Sequence, residues 1–218
     1  MKITYLGHSC FDIYDGKNHI LTDPYLTGNP LAAASAATVP ADYILVSHCH
    51  DDHLGDTLAI AKRTGATVCG VAELRPILTD AGIKCSLGNI GGWMPLPFGR
   101  VKLVQAIHGS GLPGALACGF IIQTGTQKTY FAGDTAYYGD MALLKDEKID
   151  IALLPIGDYY TMGPKDAAKA ARAVGAKITI PMHYDTFPVI RQDPRVFKKL
   201  CEPLNKVLIL KPGECTGF

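Results

Sequence analysis

The chain has 218 residues, which suits one large domain or two small ones and is long enough to bury a core without disulfide bonds. Its hydrophobic fraction of 48% and charged fraction of 19% exclude an intrinsically disordered chain. Since 21 basic residues nearly balance 20 acidic ones, the net charge of +1 excludes a strong overall attraction to nucleic acid or to anionic membranes.

The first part of the chain predicts short strands joined by tight turns. A Gly-His-Ser-Cys turn separates the first two strands, and Asp15-Gly16 separates the second from the third. Apolar residues then recur at helical spacing over residues 54–63, and Gly65 ends that helix. The strands expected here cover residues 3–6, 11–14, 19–22, 43–47 and 67–71, and a second helix covers 73–81.

The rest of the chain predicts further strands with helices among them. Pro164 stands where the first turn of a helix tolerates proline, and the helix continues to residue 174 before Gly175. The expected strands cover residues 101–107, 118–123, 128–132, 149–155, 178–181 and 207–210. The other expected helices cover residues 141–145 and 194–201.

The strands fall into an early and a middle cluster, each followed by helices, and no linker, repeat or charge block divides the chain. This order predicts an α+β fold in which two sheets pack face to face with helices outside, as a four-layer αββα sandwich. We expect a single domain over residues 1–218.

The cysteine pattern and the first residues of the chain indicate the cellular compartment in which the protein is expected. The seven cysteines are odd in number and show no Cys-x-x-Cys spacing, so neither a disulfide framework nor a cysteine zinc site is predicted. The start lacks the apolar core of a signal peptide, and no apolar run approaches the roughly 18 residues of a membrane span. We therefore expect a reduced, cytoplasmic protein without a membrane partner.

A cluster of metal-binding residue types follows the strand expected at 43–47. Three of the seven histidines fall within six residues, in the run His48-Cys49-His50-Asp51-Asp52-His53. Imidazole suits zinc, iron or copper, and a carboxylate adds negative charge for a divalent ion. Six consecutive residues cannot wrap one small cation with four ligands, so this run predicts two neighbouring cations. His48 and His50 would face one of them, and Asp52 and His53 the other.

Two cations need about three further protein ligands, which must come from other strand ends. His108, Asp134 and His183 each stand one or two residues past an apolar run. Taken alone, each suits a capping or hydrogen-bonding role. Their shared placement predicts that they complete the site.

Together these residues resemble the metallo-β-lactamase superfamily, through His-x-His-x-Asp-His, an isolated His, Gly-Asp-Thr and a late His. The early Gly-His-Ser and the Asp-Pro after the third strand are similar to its small metal-dependent hydrolases, relatives of ascorbate-6-phosphate lactonases. The resemblance runs from Leu6 to Leu210 and implies one metallo-β-lactamase-like domain with the site at the sheet edges. It implies His48, His50 and His108 on one cation, Asp52, His53 and His183 on the second, and Asp134 bridging.

The expected reaction is hydrolysis of an ester, lactone or phosphodiester by a hydroxide that bridges the two cations. Two cations about 3.5–4 Å apart lower the pKa of a shared water to about 7, from 15.7 in bulk. Asp52 is the expected catalytic residue, because it can hydrogen-bond the nucleophile or pass a proton to the leaving group. Two zinc ions are expected, although His and Asp ligands also serve manganese and iron.

Three further residues are candidates for contacts with the substrate or with the ligands. Asp23 either accepts the second N–H of a metal-binding imidazole or starts a turn before Pro24. His8 either points into the cleft as a substrate contact or proton donor, or bonds the backbone. Tyr184 either stabilises an oxyanion or packs under the last helix. The loop at 158–163 is expected at the rim of the cleft.

Other functions remain open from the sequence. A nuclease or phosphodiesterase acting on nucleic acid is disfavoured because the chain has no basic stripe and no long insertion between Asp134 and His183. An iron-dependent oxidoreductase on the same fold is the second alternative, although di-iron members tend to place a carboxylate where His50 stands. The third is a non-catalytic metal-binding module. The expected partner is a small-molecule substrate, and the modest charge is compatible with a homo-oligomer.

Overall fold

Two mixed, seven-stranded sheets form the centre of the protein in a computed structural model that describes residues 1–218. The first sheet has the strand order β14-β1-β2-β3-β4-β5-β6. Its strands are β1 (Lys2–Gly7), β2 (Cys10–Tyr14), β3 (His19–Thr22), β4 (Tyr43–Leu45), β5 (Thr67–Val71), β6 (Cys85–Gly88) and β14 (Cys215–Gly217).

The second sheet repeats this plan, with the order β13-β12-β11-β10-β9-β8-β7. Its strands are β7 (Trp93–Leu96), β8 (Gly99–Gln105), β9 (Cys118–Thr124), β10 (Gln127–Phe131), β11 (Ile151–Pro155), β12 (Ile178–Met182) and β13 (Lys206–Val207). In each sheet one half is antiparallel and the other parallel: β3 to β6 in the first sheet, β10 to β13 in the second. The strand β11 is buried at every residue, as expected for a parallel strand covered on both faces.

Helices cover the outer face of each sheet and complete four layers. The helices are α1 (Asp51–Leu54), α2 (Thr57–Thr64), α3 (Arg75–Asp80), α4 (Pro164–Val174) and α5 (Pro194–Cys201). Helices α2 and α3 contact β5 and β6, whereas α4 and α5 contact β11 and β13. Four buried alanines on one side of α4 let this helix approach the sheet closely. None of these helices is long and apolar enough to span a bilayer.

One cluster of 57 buried hydrophobic residues draws on both sheets and on the helices outside them. Burial of this apolar surface is the main force that holds the sheets together. The α+β sandwich predicted from the order of strands and helices is confirmed.

Several boundaries differ from the sequence predictions. The strands β6, β7 and β14 were not predicted, because they are short and only partly buried. The helix expected over 54–63 is α2, which begins at Thr57, and the preceding α1 was not predicted; Gly55, with a φ of 40°, separates the two. The helix expected over 141–145 is a 3-10 helix over Gly139–Glu147, and the last predicted strand shortens to β13.

Candidate metal centre

The predicted site residues meet at one edge of the sandwich, where several strands end. In open sheets with parallel strands, ligand sites form outside the carboxyl ends of those strands. Each candidate follows a strand as the sequence indicated: His8 follows β1, Asp23 follows β3, residues 48–53 follow β4, His108 follows β8, Asp134 follows β10, and His183 follows β12.

Three imidazoles form the first group. His48, His50 and His108 each offer a ring nitrogen, and these atoms lie within 4.8 Å of one another. Nε2 of His48 is 3.0 Å from Nδ1 of His50. The rings of His48 and His108 are nearly perpendicular, with centroids 5.0 Å apart. The three nitrogens therefore converge on one point.

A carboxylate and three imidazoles form the second group. Asp52, His53, His183 and also His8 offer atoms that lie within 4.8 Å of one another. Oδ2 of Asp52 is 3.9 Å from Nε2 of His53 and 3.9 Å from Nε2 of His183. His8 was expected only near this group, and the structure brings its Nε2 to 3.2 Å from the same Oδ2.

Asp134 lies between the two groups and is almost fully buried. Its Oδ2 is 3.0 Å from Nε2 of His183, in the second group, and 3.5 Å from Nε2 of His108, in the first. Its Oδ1 is 3.3 Å from Nε2 of His53. A single carboxylate thus reaches both groups.

Buried polar atoms without hydrogen-bond partners indicate whether the two groups can accommodate metal ions. Oδ1 of Asp134, Nε2 of His53 and Nε2 of His183 are buried without a hydrogen-bond partner. Buried polar atoms are rarely left unpaired in folded proteins, and an ion is one of the partners that satisfies them. A set of imidazole nitrogens and carboxylate oxygens is the donor set of zinc, iron and manganese sites. The residues present therefore fit divalent cations.

Asp23 orients two of the imidazoles from beneath. Its Oδ2 accepts a hydrogen bond from Nδ1 of His53 at 2.7 Å and another from the hydroxyl of Ser47 at 2.5 Å, while Oδ1 accepts from the Ser47 amide. Because the Ser47 hydroxyl donates to Asp23, it accepts from Nδ1 of His48 at 2.9 Å. Both imidazoles thereby carry a proton on Nδ1 and turn Nε2 toward the other candidate ligands.

The pKa values of the buried site residues determine which of them are charged at pH 7. Burial opposes ionisation of Asp134, yet the nearby imidazoles of His183 and His53 hold its pKa well below the usual value. Burial also disfavours charge on His53, but Asp134 and Asp23 raise its pKa well above normal. Burial lowers the pKa of His48 to about 2, with the charge of His53 adding to the effect. His48 is therefore neutral at pH 7, and the Asp134 carboxylate is ionised.

His8 is held in an unusual conformation. Its φ is 58°, a region that non-glycine residues rarely adopt, and Asp23 and His183 also have positive φ values. The fully buried ring contacts Thr186 through Nδ1 at 2.9 Å and Asp52 through Nε2. The His8 carbonyl accepts hydrogen bonds from the Tyr5 hydroxyl and the His183 amide. Such strain at adjoining positions is characteristic of functional sites.

Two glycines let loops pack against the ligands. A Cβ on Gly111 would lie 2.9 Å from Cδ2 of His50, and one on Gly133 would lie 2.9 Å from the Ser47 Cβ. Both residues also have positive φ values, of 67° and 60°. Larger residues there would displace the His50 ring or the strand end that carries Asp134.

Tyr184 does not face the candidate site. Its side chain lines a separate cavity of about 670 Å³, together with Tyr5 and Pro194 at the start of α5. The oxyanion role considered for Tyr184 therefore has no support in the geometry, whereas the alternative of packing near the last helix agrees with it.

The cleft in front of the ligands has a volume of about 520 Å³. Tyr160, from the loop expected at the rim, contributes to its lining. Tyr25, Phe187 and Val189 also line it and were not identified from the sequence. Tyr25 could have been noticed because it follows Asp23-Pro24, but no local pattern distinguishes Phe187 or Val189.

Comparisons with known proteins agree with this geometry. The family model described as the beta-lactamase superfamily domain matches residues 18–184. The chain is 48% identical to a UPF0173 metal-dependent hydrolase of Symbiobacterium thermophilum and 46% identical to one of Enterococcus faecalis, each alignment covering 98% of both chains. It resembles the structure of Igni18, a metallo hydrolase from Ignicoccus hospitalis, with a TM-score of 0.93 and 35% identity. That match covers 100% of this chain and 98% of Igni18.

Proposed function

The chain belongs to the metallo-β-lactamase superfamily and is a metal-dependent hydrolase, and we propose that it uses two divalent cations to cleave an ester, lactone or phosphodiester bond. The observation that carries this proposal is the position of Asp134. Its carboxylate contacts both the group of three imidazoles and the group around Asp52. Such a bridge is what two neighbouring cations require.

In this proposal the two groups hold one cation each. His48, His50 and His108 would hold the first cation. Asp52, His53 and His183 would hold the second, and Asp134 lies close enough to both groups to serve both. We propose zinc for both, because it favours few nitrogen and oxygen ligands at an open catalytic site.

Once bound, the two cations would supply a water of lowered pKa and a Lewis acid for the substrate oxygen. The residues of the chain place and assist this chemistry. Asp134 is buried and holds the two groups together, whereas the Asp52 side chain is about a quarter exposed toward the cleft. Burial alone would favour the neutral form of Asp52, but the hydrogen bond with His8 and the charge of His53 lower its pKa. Asp52 is therefore ionised at pH 7 and able to take a proton from water and deliver it to the leaving group.

We assign His8 a positioning role through Asp52. Its Nε2–H donates to Oδ2 of Asp52, and the Thr186 hydroxyl donates to its Nδ1. This tautomer satisfies both ring nitrogens without a charge on the imidazole. Burial and the neighbouring His183 lower the His8 pKa to about 4, which agrees with a neutral ring at pH 7. His8 thus fixes the direction of the Asp52 carboxylate.

The test begins with protein produced without added metal. Elemental analysis after loading with zinc, manganese or iron should give two equivalents per chain, and a panel of esters, lactones and phosphodiesters should reveal turnover. Asp134→Ala should lose metal and activity together, whereas Asp80→Ala, an exposed aspartate at the end of α3, should change neither.

Two results would refute the proposal. One is a protein with stoichiometric metal that hydrolyses no member of the panel. The other is an Asp134→Ala variant that keeps the metal content of the unmodified protein. Iron content combined with oxygen-dependent thiol chemistry would identify the oxidoreductase alternative instead.

A further inference from the structure

The cleft has an aromatic wall that the hydrolytic chemistry does not use. The rings of Tyr25 and Phe187 lie with their centroids 6.2 Å apart and their planes inclined by 29°. The His8 ring meets both of them edge-on, at centroid distances of 5.7 and 5.5 Å. Because His8 contacts Asp52, this wall lies one side chain away from the groups proposed to react.

Two more apolar side chains extend the wall to the rim of the cleft. Tyr160 and Val189 line the cleft although they are 55% and 50% exposed to solvent. Exposed apolar side chains that gather at a concave site commonly mark a binding surface. They line the same cleft as Tyr25 and Phe187, and we call these four side chains the apolar wall.

The lining of the cleft contains no arginine and no lysine. Its carboxylates are Asp51, Asp52 and Asp134, and its other polar groups include the imidazoles of His50 and His108. Anionic phosphate substrates are commonly held by arginine and lysine, which form charge-assisted hydrogen bonds with their oxygens. Because Asp52 and Asp134 would offset much of the charge of the bound cations, and no basic side chain is present to hold a phosphate group, the lining favours an uncharged substrate.

We infer, on the basis of the proposed hydrolase function, that the substrate is an uncharged carboxylic ester or lactone whose acyl part carries an aromatic ring. The ring packs on the apolar wall beside Phe187. The oxygen of a water molecule bonds to the acyl carbon, and the bond from that carbon to the alcohol oxygen breaks. One proton of the water passes to the alcohol oxygen and the other leaves as the carboxylic acid ionises. The cleft volume of about 520 Å³ lies within the range of small-molecule sites.

Three compounds with the same leaving group test this inference on the zinc-loaded protein: p-nitrophenyl phenylacetate, p-nitrophenyl acetate and bis(p-nitrophenyl) phosphate. After correction for their reactivity with hydroxide, kcat/KM for the phenylacetate should exceed that for the acetate by about tenfold or more. It should exceed that for the phosphodiester by a larger factor. The Phe187→Ala variant should reduce the preference for phenylacetate over acetate to less than about threefold. Tyr14→Ala, at the far end of β2, should leave this preference unchanged.

A binding measurement separates recognition from turnover. Phenylacetone, an uncharged ketone with the same ring, should bind the metal-free protein about tenfold more tightly than it binds Phe187→Ala, as followed by NMR shifts. A preference for the phosphodiester, or a phenylacetate preference that survives Phe187→Ala, would overturn the substrate class and leave the hydrolase proposal standing. Zinc-loaded protein that binds phenylacetone but turns over none of the three compounds would overturn the proposed function and the ester assignment with it.

Discussion

The Asp23→Asn substitution tests whether the residue beneath the ligands controls metal binding. The Asp23 carboxylate accepts three hydrogen bonds, two from Ser47 and one from Nδ1 of His53. An asparagine amide has one oxygen and one donor group. If its oxygen accepts from the Ser47 amide, its NH₂ group faces His53. The imidazole must then accept on Nδ1 and carry its proton on Nε2, the atom that should bind the metal.

The magnitude follows from these contacts. Loss of a hydrogen-bonded carboxylate behind a ligating histidine typically weakens metal affinity by about 10- to 100-fold. That factor corresponds to about 1.4–2.8 kcal/mol, which matches the roughly 1.5–3 kcal/mol assigned to a hydrogen bond with a charged group. We therefore expect the dissociation constant of the more weakly held zinc ion to rise by one to two orders of magnitude.

The assay is competition with a chromophoric chelator, with circular dichroism to check folding. Asp12→Asn is a matched control, because Asp12 also accepts from a histidine, Nδ1 of His19 at 3.0 Å, but lies within β2. Metal affinity should be unchanged in that variant. Ser47→Ala, which removes only the hydroxyl, should weaken binding by several-fold and serves if Asp23→Asn folds poorly. A folded Asp23→Asn protein with zinc affinity within twofold of the unmodified protein would refute the reasoning.

Three further predictions concern His8, pH and metal removal. His8→Ala should lower kcat about tenfold with a smaller change in KM. His8→Gln should recover part of this loss, because the glutamine amide can donate a hydrogen bond to Asp52 from near the position of Nε2. Equal rates in the two variants would contradict the positioning role. The metal-free protein should be less stable to urea at pH 5 than at pH 7, because the unfolded chain protonates His8 and His48 below about 6.5 while the folded chain keeps them neutral, with pKa values of about 4 and about 2. Each of these two histidines lowers the free energy of unfolding by about 2 kcal/mol at pH 5, and the raised pKa of His53 offsets only a small part of this loss. Equal urea midpoints at pH 5 and pH 7 would contradict the burial argument. A chelator should lower the Tm, since bound metal adds about 2.7 kcal/mol to the free energy of unfolding at a hundredfold excess over Kd. The hydrolytic rate of the metal-loaded protein should rise through pH 7 as the metal-bound water ionises. An unchanged Tm, or a rate that is flat from pH 5 to 9, would count against the metal-assisted mechanism.

Much of the candidate site could be located from local sequence alone. His108, Asp134 and His183 each stand just after an apolar run, and such runs end where a buried strand leaves the sheet. The run from His48 to His53 needs no long-range information, because its spacing and chemistry already indicate two groups. The edge strands β6 and β7 were missed since they are only partly buried and owe their structure to pairing with β5 and β8.

The sequence by itself therefore determined the residue types and the places where strands end, because both depend on local chain chemistry. The four-layer αββα architecture and the proposed metal ligands could be predicted from these two features. The tertiary structure decided how these residues face one another. Only the packing of both sheets brings Phe187 beside Tyr25, turns Tyr184 away from the cleft and places Asp23 under His53. The physical reason is that side-chain direction at a strand end depends on contacts between distant segments, and burial, not local propensity, fixes those contacts.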